Sequence, residues 1–143
     1  MGLFGKLFGS KKLTIHDPDF GAMESIRVRK DIVYWSFKTR FLNADIDISI
    51  DGDTEKVYQN QKQILLSALA SESQIKSESE KALKDQFANA DMELVSIEAH
   101  FEVGSISVND RGFELTFEEK NDPYYHFNVH FENNKEVGVS IDS

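Results

Sequence analysis

The sequence predicts an α+β domain, with antiparallel strands at both ends of the chain, arranged as meanders and packed against two central helices. Three observations predict it. Within residues 13–50 and 93–142, apolar side chains recur at every second position, the period of a half-buried strand. Over residues 53–90 the spacing changes to three, four and seven, which draws one apolar stripe on a helix. No proline interrupts residues 19–122, so nothing breaks either pattern from within.

The first strand block opens after Asp17-Pro18-Asp19-Phe20-Gly21. Here Pro fixes φ, Asp closes a turn, Gly relieves the backbone and Phe20 anchors into the core. A ligand loop built on Asp17 and Asp19 is the alternative. A turn at Arg29-Lys30-Asp31 follows. Beyond it Val33, Trp35, Phe37, Thr39 and Phe41 share one face, and Tyr34, Ser36, Lys38 and Arg40 the other. In the next strand Ile46, Ile48 and Ile50 point inward against Asp45, Asp47 and Ser49, and Asp51-Gly52 ends it. Val57, Ile64, Leu65, Ala68 and Leu69 make the first helical stripe, with Asp53 or Thr54 as its cap. A break at Ser71–Ser73 precedes a second helix that turns Ile75, Ser79, Ala82, Leu83 and Phe87 inward. Its wet face carries a Glu80–Lys84 pair in the favourable order. The closing strands are set by Ile106/Val108, by Phe113/Leu115/Phe117, by Phe127/Val129/Phe131 and by Val137/Val139/Ile141. Asn133-Asn134 joins the last two as a tight hairpin. One sheet or two would satisfy this pattern.

At 143 residues the chain predicts one domain: an N-terminal tail over 1–12 and a single α+β domain over 13–143. The absence of cysteine excludes disulfides, thiolate metal sites and cysteine nucleophiles. It suits a reducing cytoplasm, the expected location. Charge is uneven. Lys6, Lys11 and Lys12 give the tail +3, and the remaining 13 basic and 25 acidic residues give the body −12. Such a body repels phosphate backbones, which argues against nucleic acid as a partner and leaves a basic protein surface as one candidate.

"HDPDFGAMESI" resembles the Asp-Pro-x-Phe-Gly opening of a family of bacterial domains of unknown function. Asp17-Pro18-Asp19-Phe20-Gly21, Trp35, "IDISIDGD" and the "VNDRGFELTF" hairpin fit that family's order over roughly residues 14–142. The resemblance implies a bacterial origin and a strand–helix–strand order. Some relatives resemble immunity proteins encoded beside toxins. The family transfers no catalytic residues.

Among candidate sites, the histidines come first. His126 and His130 share one strand face, but four residues of strand separate them by about 13 Å, too far for one ion. A metal or ligand site would need His100 or an acid from a neighbouring strand; otherwise the histidines belong to a polar sheet face beside Asn128. "DIDISIDGD" lacks the order of a calcium loop. Glu118 and Glu119 face opposite ways on a strand, and Glu114 sits as far from Glu118 as His126 from His130, so neither makes a catalytic carboxylate pair. No P-loop, G-x-S-x-G, H-E-x-x-H or dinucleotide fingerprint is present. The sequence therefore points to no catalytic residue, no metal and no cofactor. Tyr124, Tyr125 and Tyr34 are candidates for a protein interface.

The tail carries Leu3, Phe4, Leu7 and Phe8 in two pairs broken by Gly5 and Lys6, which is too interrupted for a signal peptide. Lys6 also stands where a myristoylation signal needs Ser or Thr. On a helix the four apolar residues share a face. Burying them would gain about 6–12 kcal/mol, against a backbone cost of about 11–22 kcal/mol for ordering eleven residues. Residues 2–12 thus allow a weak membrane-surface contact, or an interaction with a partner, rather than a firm anchor. The leading functional expectation is a non-enzymatic bacterial module that binds another protein, of regulatory or immunity type. A peripheral membrane adaptor using the tail, and an enzyme of unrecognised type, are the alternatives.

Overall fold

In a computed structural model, which describes residues 12–142, eight strands join into one sheet in chain order. They are β1 (Thr14–Asp17), β2 (Gly21–Arg29), β3 (Ile32–Phe41), β4 (Ala44–Gly52), β5 (Phe101–Val108), β6 (Phe113–Glu119), β7 (Asp122–Glu132) and β8 (Lys135–Asp142). Every neighbouring pair is antiparallel except β4 and β5, which run parallel. Strands at both ends are antiparallel, as the sequence predicts; the parallel β4–β5 pair joins the two sets into one mixed sheet, where the sequence left one sheet or two open. The crossover that makes it parallel carries the helices α1 (Gln59–Leu69), α2 (Glu72–Asn89) and the short α3 (Ile97–His100). The fold is α+β and rich in antiparallel pairing.

The alternation read from the sequence decides which face is covered. Trp35, Ile46, Ile48, Ile50, Ile106, Leu115 and Phe117 are fully buried, in one core with Leu65 and Ala68 of α1 and Ile75 and Leu83 of α2. Aromatic contacts tie the C-terminal strands together: Phe113 stacks on Phe131 at 4.8 Å, and Phe101 meets Phe117 and Phe127 edge-on. Phe87, near the end of α2, packs against Phe101 and Phe127. Trp35 meets its one polar need by donating from Nε1 to the Asp53 carbonyl at 2.9 Å.

Asp53 does not cap a helix. Its carboxylate accepts from the Glu55 and Lys56 amides, closing a turn in which Val57 bridges back to Gly52. Asp, a good cap, is equally a good turn former, so α1 begins only at Gln59, after Tyr58. Within α2 the buried residues are Ile75, Ser79, Ala82, Leu83 and Phe87. Among the described residues Glu80 and Lys84 make no ion pair; instead Lys76 reaches Glu98 at the start of α3. Ser96 caps α3 by accepting from the Ala99 amide.

The Asp17–Gly21 stretch is the β1–β2 turn. Asp17 accepts from the Asp19 and Phe20 amides at 2.8 and 3.0 Å, and Gly21 takes φ +79°. Phe20 stacks on Phe37. Lys62 of α1 bonds both carboxylates, Asp17 at 3.1 Å and Asp19 at 2.8 Å. Burial alone would raise the Asp17 carboxyl, but the two amides and Lys62 outweigh it and hold its pKa below the ordinary value. This engagement leaves the pair as internal counter-ions that dock α1 on the sheet edge.

The C-terminal hairpin is fastened to α2. Asn133 and Asn134 take φ 54° and 62°, as a two-residue hairpin requires. Asn134 donates to Ser67 and Ser71, Gln74 donates to the Asn134 carbonyl, and the Glu136 amide donates to Glu78.

Candidate functional site

With the core on one side, the other side of the sheet carries no element among the described residues. Its side chains line up in rungs across β5–β8, fixed by the strand register. The first rung is Glu102, Glu118, His126 and Asp142. The second is Ser105, Thr116, Asn128 and Ser140, and the third is Ser107, Glu114, His130 and Gly138. Each arises from period-two alternation: these are the residues between Val103, Ile106, Leu115, Phe117, Phe127 and Val129, which turn to the core.

The second rung is a hydrogen-bonded floor. Thr116 donates to Asn128 Oδ1 at 2.8 Å, and Asn128 donates from Nδ2 to Asp142 at 2.9 Å and Ser140 at 3.4 Å. Asn128 is buried by these neighbours. The first rung holds His126 between two carboxylates, with Nε2 3.5 Å from Glu118 and Nδ1 3.5 Å from Asp142. In the third, His130 has Nε2 2.9 Å from the Ser140 hydroxyl and Nδ1 3.8 Å from Glu114.

Charge divides the sheet into halves. On β1–β4, Lys38 pairs with Asp47 and Arg40 with Asp45 on the uncovered face. On β5–β8 there are eight carboxylates and one lysine, Lys135, which sits opposite Glu132 at the far hairpin. The tail's Lys12 pairs with Glu24 of β2, well away from this half.

His126 and His130 thus lie on one polar face beside Asn128. His100 is elsewhere: on α3 it bonds Glu119 at 2.8 Å and packs edge-on against Phe87. The three histidines do not converge, and among the described residues no group of three His, Asp or Glu side chains is placed to hold a metal ion. Tyr124 is 79% exposed and Tyr125 half exposed, both at the start of β7 beside the first rung. Tyr34 is remote from them, on β3 beneath the Arg27 guanidinium. Leu3, Phe4, Leu7 and Phe8 lie outside the described residues. Among those residues no helix is long and apolar enough to cross a membrane.

A cleft of about 650 Å³ opens at the end of the sheet where β4 and β5 begin. The β4–β5 ladder joins only Asp47–Ser49 to Ser105–Ser107, so the earlier residues of both strands part. Leu42, Ala44, Ile97, Phe101 and Val103 line the cleft, with Glu72, Lys76, Glu98 and Lys120 around it. Most of its charges are already engaged. Glu72 accepts from the Leu42 amide, Lys76 bonds the Glu98 carboxylate and Lys120 donates to the Glu98 carbonyl. The Lys76 bond lowers the Glu98 pKa and raises that of Lys76.

The sequence places His126 with His130 on one strand face and Glu114 with Glu118 on another; the register joins the two pairs and adds Glu102 and Asp142 as their neighbours. The Asn133-Asn134 turn sets the register only as far as Phe131 opposite Glu136; a bulge beyond it shifts β8 by one residue and brings Asp142, where the turn alone would bring Ile141, opposite His126. No such turn joins β4 to β5, whose connection is long.

The class these features define is an α+β domain with a half-covered mixed sheet. No protein-family model, curated protein or solved structure matches the chain. The resemblance to bacterial domains opening with Asp-Pro-x-Phe-Gly rests on the residues alone.

Proposed function

We propose that the chain is a non-enzymatic module that binds a basic protein surface through the uncovered face of β5–β8, in a regulatory or immunity-type role in a bacterial cytoplasm. The observation that carries the reading is the acidity of that face: its three rungs hold Glu102, Glu114, Glu118 and Asp142 and no lysine or arginine. Within the first rung Glu102 and Glu118 stand on neighbouring strands about 5 Å apart, inside a Debye length of about 8–10 Å, so their fields add and steer a cationic partner. The exposed Tyr124 and Tyr125 at the margin supply the amphipathic contact area that interfaces favour. In this account the two long helices back the two four-strand meanders and hold the face in register. Nucleic acid is not the proposed partner, because such a face repels phosphate.

The test uses a fluorescent ten-residue Lys/Arg peptide and anisotropy at rising salt. The triple variant Glu102→Gln/Glu118→Gln/Asp142→Asn keeps size and hydrogen-bonding capacity. The native chain should bind the peptide with an affinity that falls steeply with salt, and the variant at least tenfold more weakly. Equal binding by both, or none by the native chain, would overturn the reading.

A further inference from the structure

We infer that the cleft between the diverging starts of β4 and β5 is the anchor pocket of the same interface, and that the partner segment is extended, basic and carries one bulky apolar side chain. The inference rests on the binding reading above and specifies the partner's chemistry. Three observations support it.

The cleft's volume, about 650 Å³, is within the range of sites that hold a ligand-sized group. Its accessible apolar wall is Leu42, Ala44 and Val103, which are partly buried, with Ile97 and Phe101 behind them in the core. Apart from Glu102, the charged groups around it are engaged internally: Asp45 by Arg40, Glu72 by the Leu42 amide, and Lys76 and Lys120 by Glu98. A pocket with satisfied rim charges and apolar walls selects an apolar group rather than an ion.

The cleft is continuous with the acidic face. Glu102 lines it and is also the first member of the Glu102–Glu118–His126–Asp142 rung. Among the described residues Glu102 makes no ion pair or side-chain hydrogen bond, so it is available to a cation at the boundary. A segment lying across the first rung would reach the cleft within a residue or two of its positive charge.

The cleft is also a gap in the sheet. Ladder pairing between β4 and β5 starts at Asp47 and Ser105, so the edges of Ala44–Ile46 and of Phe101–Gly104 face each other without pairing. Strand edges of this kind favour an extended occupant. A compact ligand would leave them unused.

The test compares two ten-residue peptides of equal charge, one with a central Phe among lysines and one with Gly in its place, titrated into the full chain. The Phe peptide should bind at least tenfold more tightly. Ser73→Trp, at an exposed position of the first turn of α2 that lines the cleft mouth, should abolish that advantage and leave the Gly peptide unaffected. Thermal unfolding of the variant checks that it is folded, and the peptide comparison on the native chain needs no variant. Equal binding of the two peptides would overturn the pocket while leaving the acidic-face reading standing. Binding of neither would overturn both.

Discussion

Replacing Lys62 with Met isolates the buried ion cluster that seats α1 on the sheet edge. The side chain of Lys62 is 12% exposed and that of Asp17 6%, so both charges are largely out of water. Met keeps the length of the stem and its packing beside Phe20, over which the lysine ammonium now sits at 5.7 Å. What is lost is the charge, leaving the Asp17 carboxylate buried with only the Asp19 and Phe20 amides. Removing one member of a buried pair costs about 3–5 kcal/mol. The two remaining amide donors, and the exposure of Asp19, reduce this to about 2–3 kcal/mol here. By contrast the exposed Lys38–Asp47 pair should be worth under about 1 kcal/mol. Urea unfolding at pH 7 measures the difference. Its pH dependence is also fixed in sign. Because the Asp17 pKa is lowered on folding, its contribution is full above the ordinary aspartate range and is lost as pH falls through the folded value. The gap between native chain and Lys62→Met should therefore narrow in acid. A loss below about 0.5 kcal/mol at pH 7, or a gap that persists unchanged in acid, would refute the reasoning.

Three further outcomes follow from the same structure. Ser79→Ala should raise stability by about 0.5–1.5 kcal/mol in urea melts, since the Ser79 hydroxyl is buried without a partner among the described residues and Ala is the better helix former. Gly112→Ala should cost about 2–3 kcal/mol, because a Cβ there would overlap the Phe131 carbonyl oxygen in the β6–β7 ladder. For Asp51, burial and the nearby Asp110 raise the pKa on folding despite the hydrogen bond from Gln61. Its ionisation opposes folding, so Asp51→Asn should flatten the stability profile just above the ordinary aspartate range, opposite in sign to Asp17; an unchanged profile would refute this.

How much of this was legible depended on how local the determining physics is. Strand faces such as Ile46/Ile48/Ile50 and Phe113/Leu115/Phe117 were readable because a half-buried sheet imposes period two on adjacent residues. The inward set of α2, including the polar Ser79, was readable for the same reason at period 3.6. The start of α1 was not, because Asp53 serves a turn as well as a cap and Val57 mimics a helical stripe from outside it. Lys62 reads as a wet position on the helix until two carboxylates from a distant turn are placed beside it. The parallel β4–β5 pairing, and with it the cleft, depends on where a long crossover lands. The acidic rungs lie between: their members were visible one strand at a time, but Glu102 and Asp142 joined His126 only through the register of three hairpins.

The most direct test of the binding account is an amide chemical-shift map of the ¹⁵N-labelled chain titrated with the basic peptide. The account predicts saturable shifts gathered on the uncovered face of β5–β8, around Glu102, Glu118, His126 and Asp142, with little change on β1–β3. Shifts scattered over the whole surface, or centred on the β1–β4 half, would contradict it.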